Sequence, residues 1–249
     1  MPLPAGVDLI SLVPAALIVL AASLVKGTTG FGFALVATPL LLLFWEPLVM
    51  VPVLIPAGMA ADILIVTQNR RKLEWGRVAP MAVAGVLGIP LGTVILLNVP
   101  STALKIGVAL VVLASAIILM TGARVNISRE RVASSVAGFM SGLLLTSTTI
   151  SGPPVTLLLI NQRWPKDVFR TSLALFFLTL QGFAIVSLAV GGILTVSTLT
   201  VSMALLPSVL LGYALAVRLL PHIPQEAFLR IATVVVMATG VLALITAVR

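Results

Sequence analysis

The sequence predicts an all-α integral membrane protein made of two inverted repeats of five helical segments each, with short helix hairpins meeting near the midplane. Composition, the order of apolar segments and the distribution of loop charge predict it. Of 249 residues, 60% are hydrophobic and 9% charged, with mean hydropathy +1.23. Soluble domains carry about 25% charged and about 45–50% apolar residues. So much apolar surface cannot be hidden from water by a chain of this size, which makes lipid the solvent. With no cysteine, disulfides, thiolate nucleophiles and Cys-bound metals are excluded, and the single histidine is His222. No metal site and no cofactor are expected.

The first apolar segment covers 9–25. No Lys or Arg precedes Lys26, so this segment lacks the basic region of a signal peptide and is expected to be retained. Segment 31–44 would be only about 21 Å long as a helix. Segments 48–67, 77–97 and 102–121 are long enough to span about 30 Å of hydrocarbon. A second set follows in the same order: 132–147, then a short 150–161 of about 18 Å, then 168–190, 198–219 and 226–248. At an offset of 120, Thr28-Thr29 falls on Thr148-Thr149, Gly32 on Gly152 and Gly92 on Gly212. The chain therefore reads as one membrane domain of two repeats, 1–122 and 123–249. Five segments is an odd number, so the second repeat would insert upside down.

Loop charge supports that topology. The stretches 68–77, 122–131, 162–170 and 218–230 together hold 12 Lys+Arg and 4 Asp+Glu, which is the entire net charge of +8. Elsewhere three basic residues meet three acidic ones, and the connections 98–101 and 191–197 are uncharged. Putting every basic loop in the cytoplasm fixes the N-terminus outside, in a multi-pass protein of the cell (inner) membrane. The positive balance thus records orientation, and nucleic acid is not an expected partner.

Two hairpin apices carry the candidate site. The first reads Lys26-Gly27-Thr28-Thr29-Gly30-Phe31-Gly32-Phe33, and the second includes Thr148, Thr149, Ile150, Ser151, Gly152 and Pro153. Irregular backbone at membrane depth is tolerated only inside protein or against a wet cavity. Each apex precedes a short helix, whose N–H groups and positive dipole end favour an anion. With the Lys26 ammonium, the two ends sum to roughly +2, suited to a small oxyanion. Thr28, Thr29, Thr148, Thr149 and Ser151 are candidate hydroxyl donors. The plainer readings are glycine packing faces, hydroxyls bonded to a preceding carbonyl, and a Lys26 that snorkels to the interface.

In this order and spacing the motifs resemble the TauE/SafE sulfite exporter family. They are the segment 26–33 with Ala34-Leu35-Val36-Ala37-Thr38-Pro39, then Lys72-Leu73-Glu74-Trp75, then Gly85-Val86-Leu87-Gly88-Ile89-Pro90-Leu91-Gly92. The Ser151-Gly152-Pro153-Pro154 apex and Arg170-Thr171-Ser172-Leu173 complete the set. The resemblance implies a duplicated permease for sulfite or an organosulfonate. Ile150 departs from it, because glycine is common at that position.

Other polar residues complete the expectation. Asp62 reads as a cytoplasmic-end partner of Arg70 or Arg71 in preference to a proton-coupling carboxylate. Gln181, mid-segment, is a candidate substrate contact or interhelical bond, and Arg163 and Arg170 flank the cytoplasmic mouth. Trp45, Trp75 and Trp164 read as interfacial anchors. The expected function is a non-enzymatic secondary permease exporting a small sulfur-containing anion by alternating access. Proton-coupled uptake of an organic anion and an anion channel are the near alternatives, and a membrane-embedded hydrolase is a remote one. The lipid bilayer and a small anion are the expected partners; a monomer and a homodimer both fit.

Overall fold

A computed structural model describes residues 4, 6–68, 75–121, 130–161 and 166–219 of the chain. All regular elements among them are helices: α1 Leu9–Thr29, α2 Phe33–Leu41, α3 Pro47–Gln68, α4 Trp75–Asn98, α5 Ser101–Thr121, α6 Glu130–Thr148, α7 Gly152–Asn161, α8 Lys166–Val190 and α9 Val196–Leu219. The expected segment 226–248 lies outside the described residues. Helices α1, α3, α4, α8 and α9 are each long and apolar enough to cross a membrane.

Local chemistry sets the ends of the first hairpin. Asp8 caps α1 in a reciprocal capping box with Ser11, which satisfies donors that the first turn leaves unpaired. The helix then runs four residues beyond the expected 9–25, through Lys26 to Thr29. Gly30 stops it at φ 84°, its N–H donating to the Lys26 carbonyl at 2.7 Å. Gly32 then opens α2 at φ 91°, a second left-handed residue that glycine accommodates without a Cβ penalty. The first leg of this hairpin is consequently a full-length helix, and only the returning α2 is short. In the second hairpin the left-handed residue is Thr149, at φ 64°.

Tight helix pairs build the bundle. Along α4 and α6, an added Cβ at Gly88 would meet Phe139, one at Gly92 would meet Leu143 and Thr146, and one at Gly138 would meet the Met81 backbone. Small residues allow such backbone approach, which drives association where lipid removes the hydrophobic incentive. Helices α1 and α9 meet similarly: Gly27 abuts Ala216 and Tyr213, and Gly212 abuts Leu20 and Ser23. Each pair adds a buried hydroxyl bond. Ser23 donates to the Val209 carbonyl at 2.7 Å, and Thr146 to the Ile89 carbonyl at 2.9 Å. Between these pairs, α3 packs on α8 and α9, and α8 packs on α4. Outward-facing positions such as Leu17, Leu87, Val94 and Val186 are exposed apolar residues, as a lipid-facing surface requires.

Two end-of-helix features differ from expectation or extend it. Trp45 is buried and its indole N–H donates to Ser11 at 3.2 Å, so it joins α1 to the start of α3 and does not anchor at the interface. Trp75 is half exposed, as an anchor would be. Lys105 on α5 pairs with Glu46 at 2.8 Å at the same end of the molecule as Trp45.

Candidate functional site

Both hairpin turns close on one small cavity. Its walls are Phe31, Gly32 and the first turn of α2 on one side, and Thr149, Ile150, Ser151 and Gly152 on the other. Leu54 and Ile55 of α3 and Phe177 and Gln181 of α8 complete it, with Lys26 at its edge. Its volume is about 40 Å³. One water needs about 10–15 Å³ on this measure, so the space suits a few waters or one anion of a few heavy atoms.

Of the residues singled out in the sequence, Lys26, Phe31, Gly32, Thr149, Ser151, Gly152 and Gln181 line this cavity. Gly27 does not; it is the contact point of α1 with α9. Gly30 turns its face to Arg170, whose Cα would lie 3.0 Å from an added Cβ. The hydroxyls follow the plainer reading in most cases. Thr28 donates to the Leu24 and Val25 carbonyls, Thr29 to Val25 and Phe31, and Thr148 to Leu144. The Thr149 hydroxyl bonds that of Thr38 on α2, so it ties the two hairpins together. Pro153 follows Gly152 into α7, and Arg163 lies outside the described residues.

The two half-helices present unequal ends to the cavity. In α2 the first helical donor is Val36, bonded to Gly32 at 3.1 Å, so Phe33, Ala34 and Leu35 offer the N–H groups of a free first turn. In α7 the corresponding positions include Pro153 and Pro154, which have no N–H. The second end therefore contributes its dipole and the Gly152 N–H, and α2 supplies most of the directed donors.

Lys26 is where the geometry departs furthest from the sequence expectation. Its ammonium neither snorkels nor stands uncompensated. It lies 2.6 Å from Asp62 Oδ2 and donates to the Gly58 carbonyl at 3.2 Å. Gly58 and Asp62 are one turn apart on α3, so a single helix face supplies both acceptors. The rings of Phe33 and Phe177 each place their centroids 5.6 Å from the ammonium, adding cation–π attraction. Asp62, read from sequence as a partner of Arg70 or Arg71, is instead fully buried against Lys26. This corrects the local charge: lysine and aspartate cancel, leaving the positive helix ends of roughly +0.5 each. The amide of Gln181 lies beside the Asp62 carboxylate and near Gly58.

Sequence reasoning missed the aromatic and aliphatic walls Phe177, Leu54, Ile55 and Leu145, and gave Phe33, at the end of the first apex, no role. It also missed a polar contact at the far end of α3, where Tyr213 of α9 donates to Gln68 at 2.7 Å with Arg170 close by. Gly58 and Asp62, at i and i+4, carried a usable signal for one clamp. Among the described residues no group of acidic or histidine side chains is disposed to hold a metal.

A family model described as "Sulfite exporter TauE/SafE" matches residues 15–243. No curated protein and no solved structure matches the chain.

Proposed function

This chain belongs to the TauE/SafE sulfite exporter family of membrane transporters for sulfur-containing anions, and from that premise we propose that it is a secondary permease for sulfite or a small organosulfonate. The observation that carries the reading is the cavity bounded by both hairpin turns and Lys26. The anion would sit there with the Lys26 ammonium, the first N–H groups of α2, the Gly152 N–H and the Ser151 hydroxyl around its oxygens. The space of about 40 Å³ supports a small headgroup over a bulky organic acid.

We read the bundle as two inverted repeats, 1–122 and 123–249, rocking about this site. Several pairings support this. Exchanging repeats turns α1–α9 into α6–α4, and both are close pairs. The two interhelical hydroxyl bonds end on Val209 and Ile89, which stand at the offset of 120 that also aligns Gly212 with Gly92. Such an arrangement would expose the cavity alternately to each side. We place the N-terminus outside the cell (inner) membrane, on the loop-charge pattern.

For an anion crossing alone, direction would follow from electrostatics. A monovalent anion leaving an inside-negative cell gains about 2.3 kcal/mol per 100 mV, equivalent to a gradient of roughly 50-fold. Export would then need no energy source, whereas an anion crossing with a proton would follow the gradients of both. A proton-coupled reading is favoured by one observation, the buried Lys26–Asp62 pair, and is taken up below. The test is flux of labelled sulfite in proteoliposomes. Lys26→Ala, checked for monodispersity, is expected to lose at least about tenfold of the flux, as removal of a charged hydrogen-bond donor would. Undiminished transport would refute the site. Saturation and counterflow distinguish a carrier from a channel, which would pass single-channel currents.

A further inference from the structure

We infer that anion binding is coupled to protonation of Asp62: the anion takes over the Lys26 ammonium, Asp62 accepts one proton, and the two cross together. The inference rests on the transport reading above and specifies its coupling and charge class.

The first support is position. Lys26 lines the cavity while its ammonium is held by Asp62 behind it, with side-chain exposures of 4% and 0%. An anion entering the cavity competes for the same ammonium. Were it to win without a proton, the aspartate would become a buried, unpartnered charge, the costly way to break such a pair. Protonation removes that charge.

The second support is the other side of the carboxylate. Oδ2 of Asp62 carries the pair with Lys26, and the Gln181 amide lies beside the carboxylate as a second donor. Once a proton makes the carboxyl a donor, the same amide can turn its oxygen, buried without a partner of its own, to accept from it. Gln181 also lines the cavity, so the amide is placed to sense both events.

The third support is charge balance. The empty site holds one ammonium and one carboxylate beside two helix ends of roughly +0.5 each. A monoanion and one proton together add no net charge, so the balance of the empty site is kept. A dianion with one proton would shift it by one negative charge. Conservation of charge therefore favours hydrogen sulfite or a sulfonate over sulfate. The step forms one O–H bond at Asp62 from a solvent proton, and no bond in the anion changes.

Among the described residues, the other charged groups of the packed elements have partners or places away from this pair. Helix α2 has no titratable residue. On α5, Lys105 is engaged by Glu46. On α8, Arg170 stands by Gly30 and Tyr213, and the Tyr213 hydroxyl of α9 is committed to Gln68. Arg77 and Arg131 open α4 and α6, and Arg218 closes α9. Among the described residues, Lys26 of α1 is the charged group paired with Asp62.

The test uses the full chain in proteoliposomes with labelled sulfite and labelled methanesulfonate, the latter a permanent monoanion. Exchange of neither overturns the transport reading itself. With whichever exchanges, a clamped potential of 100 mV at equal pH is expected to change its accumulation by less than twofold. Uncoupled movement of one charge would give about 50-fold and would overturn the coupling while leaving transport intact. For methanesulfonate, one unit of pH gradient at zero potential is expected to drive about tenfold accumulation, and none would count equally against it. In Asp62→Asn, whatever exchange survives is expected to ignore the pH gradient. Retained pH-driven accumulation in that variant would sink the assignment to Asp62, and the wild-type voltage measurement decides the coupling even if the variant does not fold.

Discussion

Replacing Gly142 by alanine tests the closest helix contact in the bundle. A Cβ at Gly142 would fall on the Gly85 carbonyl oxygen, well inside van der Waals contact, and 3.0 Å from the Gly85 Cα. Both partners are backbone, so no side chain can rotate out of the way, and α4 and α6 must separate by more than an ångström. Overpacking of this kind costs about 1–3 kcal/mol. Against it stands the gain of about 0.5–1 kcal/mol when alanine replaces a mid-helix glycine. A net loss near 1.5 kcal/mol corresponds to a fall of about 3–6 °C in Tm for a chain of this size. Gly107 on α5 is the matched control, because nothing lies within 4 Å of its added Cβ. Gly107→Ala should leave Tm unchanged or raise it. The assay is thermal unfolding of the two variants in one detergent. Equal Tm values would refute the claim that α4 and α6 meet backbone to backbone.

Two more outcomes follow from particular residues. Ile150 is fully buried and forms part of the cavity wall; Ile150→Ala should cost about 2–5 kcal/mol and shift competition towards larger sulfonates, read as their inhibition of sulfite flux. An unchanged order of inhibition would place the size limit elsewhere. The Lys105 ammonium bonded to Glu46 holds that carboxyl below its usual range, so the pair's stabilisation is fully present above the ordinary glutamate pKa of about 4.3 and is lost as pH falls through the lowered value. Glu46→Gln should therefore cost less than about 1 kcal/mol at pH 7, a gap that closes in acid when Tm is followed against pH.

The fold was largely legible because lipid imposes its demands on every residue of a span. Apolar length found each described helix to within a few residues. The departure at α1 arose because Gly27-Thr28-Thr29 looks like a turn, yet the Thr28 and Thr29 hydroxyls bond carbonyls of their own helix and let it continue. The site was legible as two apices and less so as a network. Lys26 and Asp62 both stood out, but a one-dimensional reading matched Asp62 to the arginines nearest in sequence. The partner that burial selected lies 36 positions away. The weakness of the α7 end was written in Pro153-Pro154; what hid it was the symmetry of the repeat, which invites equal weight for unequal ends. The Phe33 and Phe177 walls carried no signal that distinguishes them from other buried aromatics.

The hydroxyl contact between Thr38 and Thr149 joins a half-helix of one hairpin to the turn of the other, 111 positions apart. In the proposed transport cycle, a movement that draws α2 away from the second turn would break it, at a net cost of about 0.5–1.5 kcal/mol for one hydrogen bond, worth about a factor of 2–13 in population. That would be enough to bias a resting bundle towards the joined arrangement and too little to trap it there. On that reading this single pair of methyl-bearing hydroxyls would set a low threshold, and its removal would be felt as leakiness before it was felt as instability.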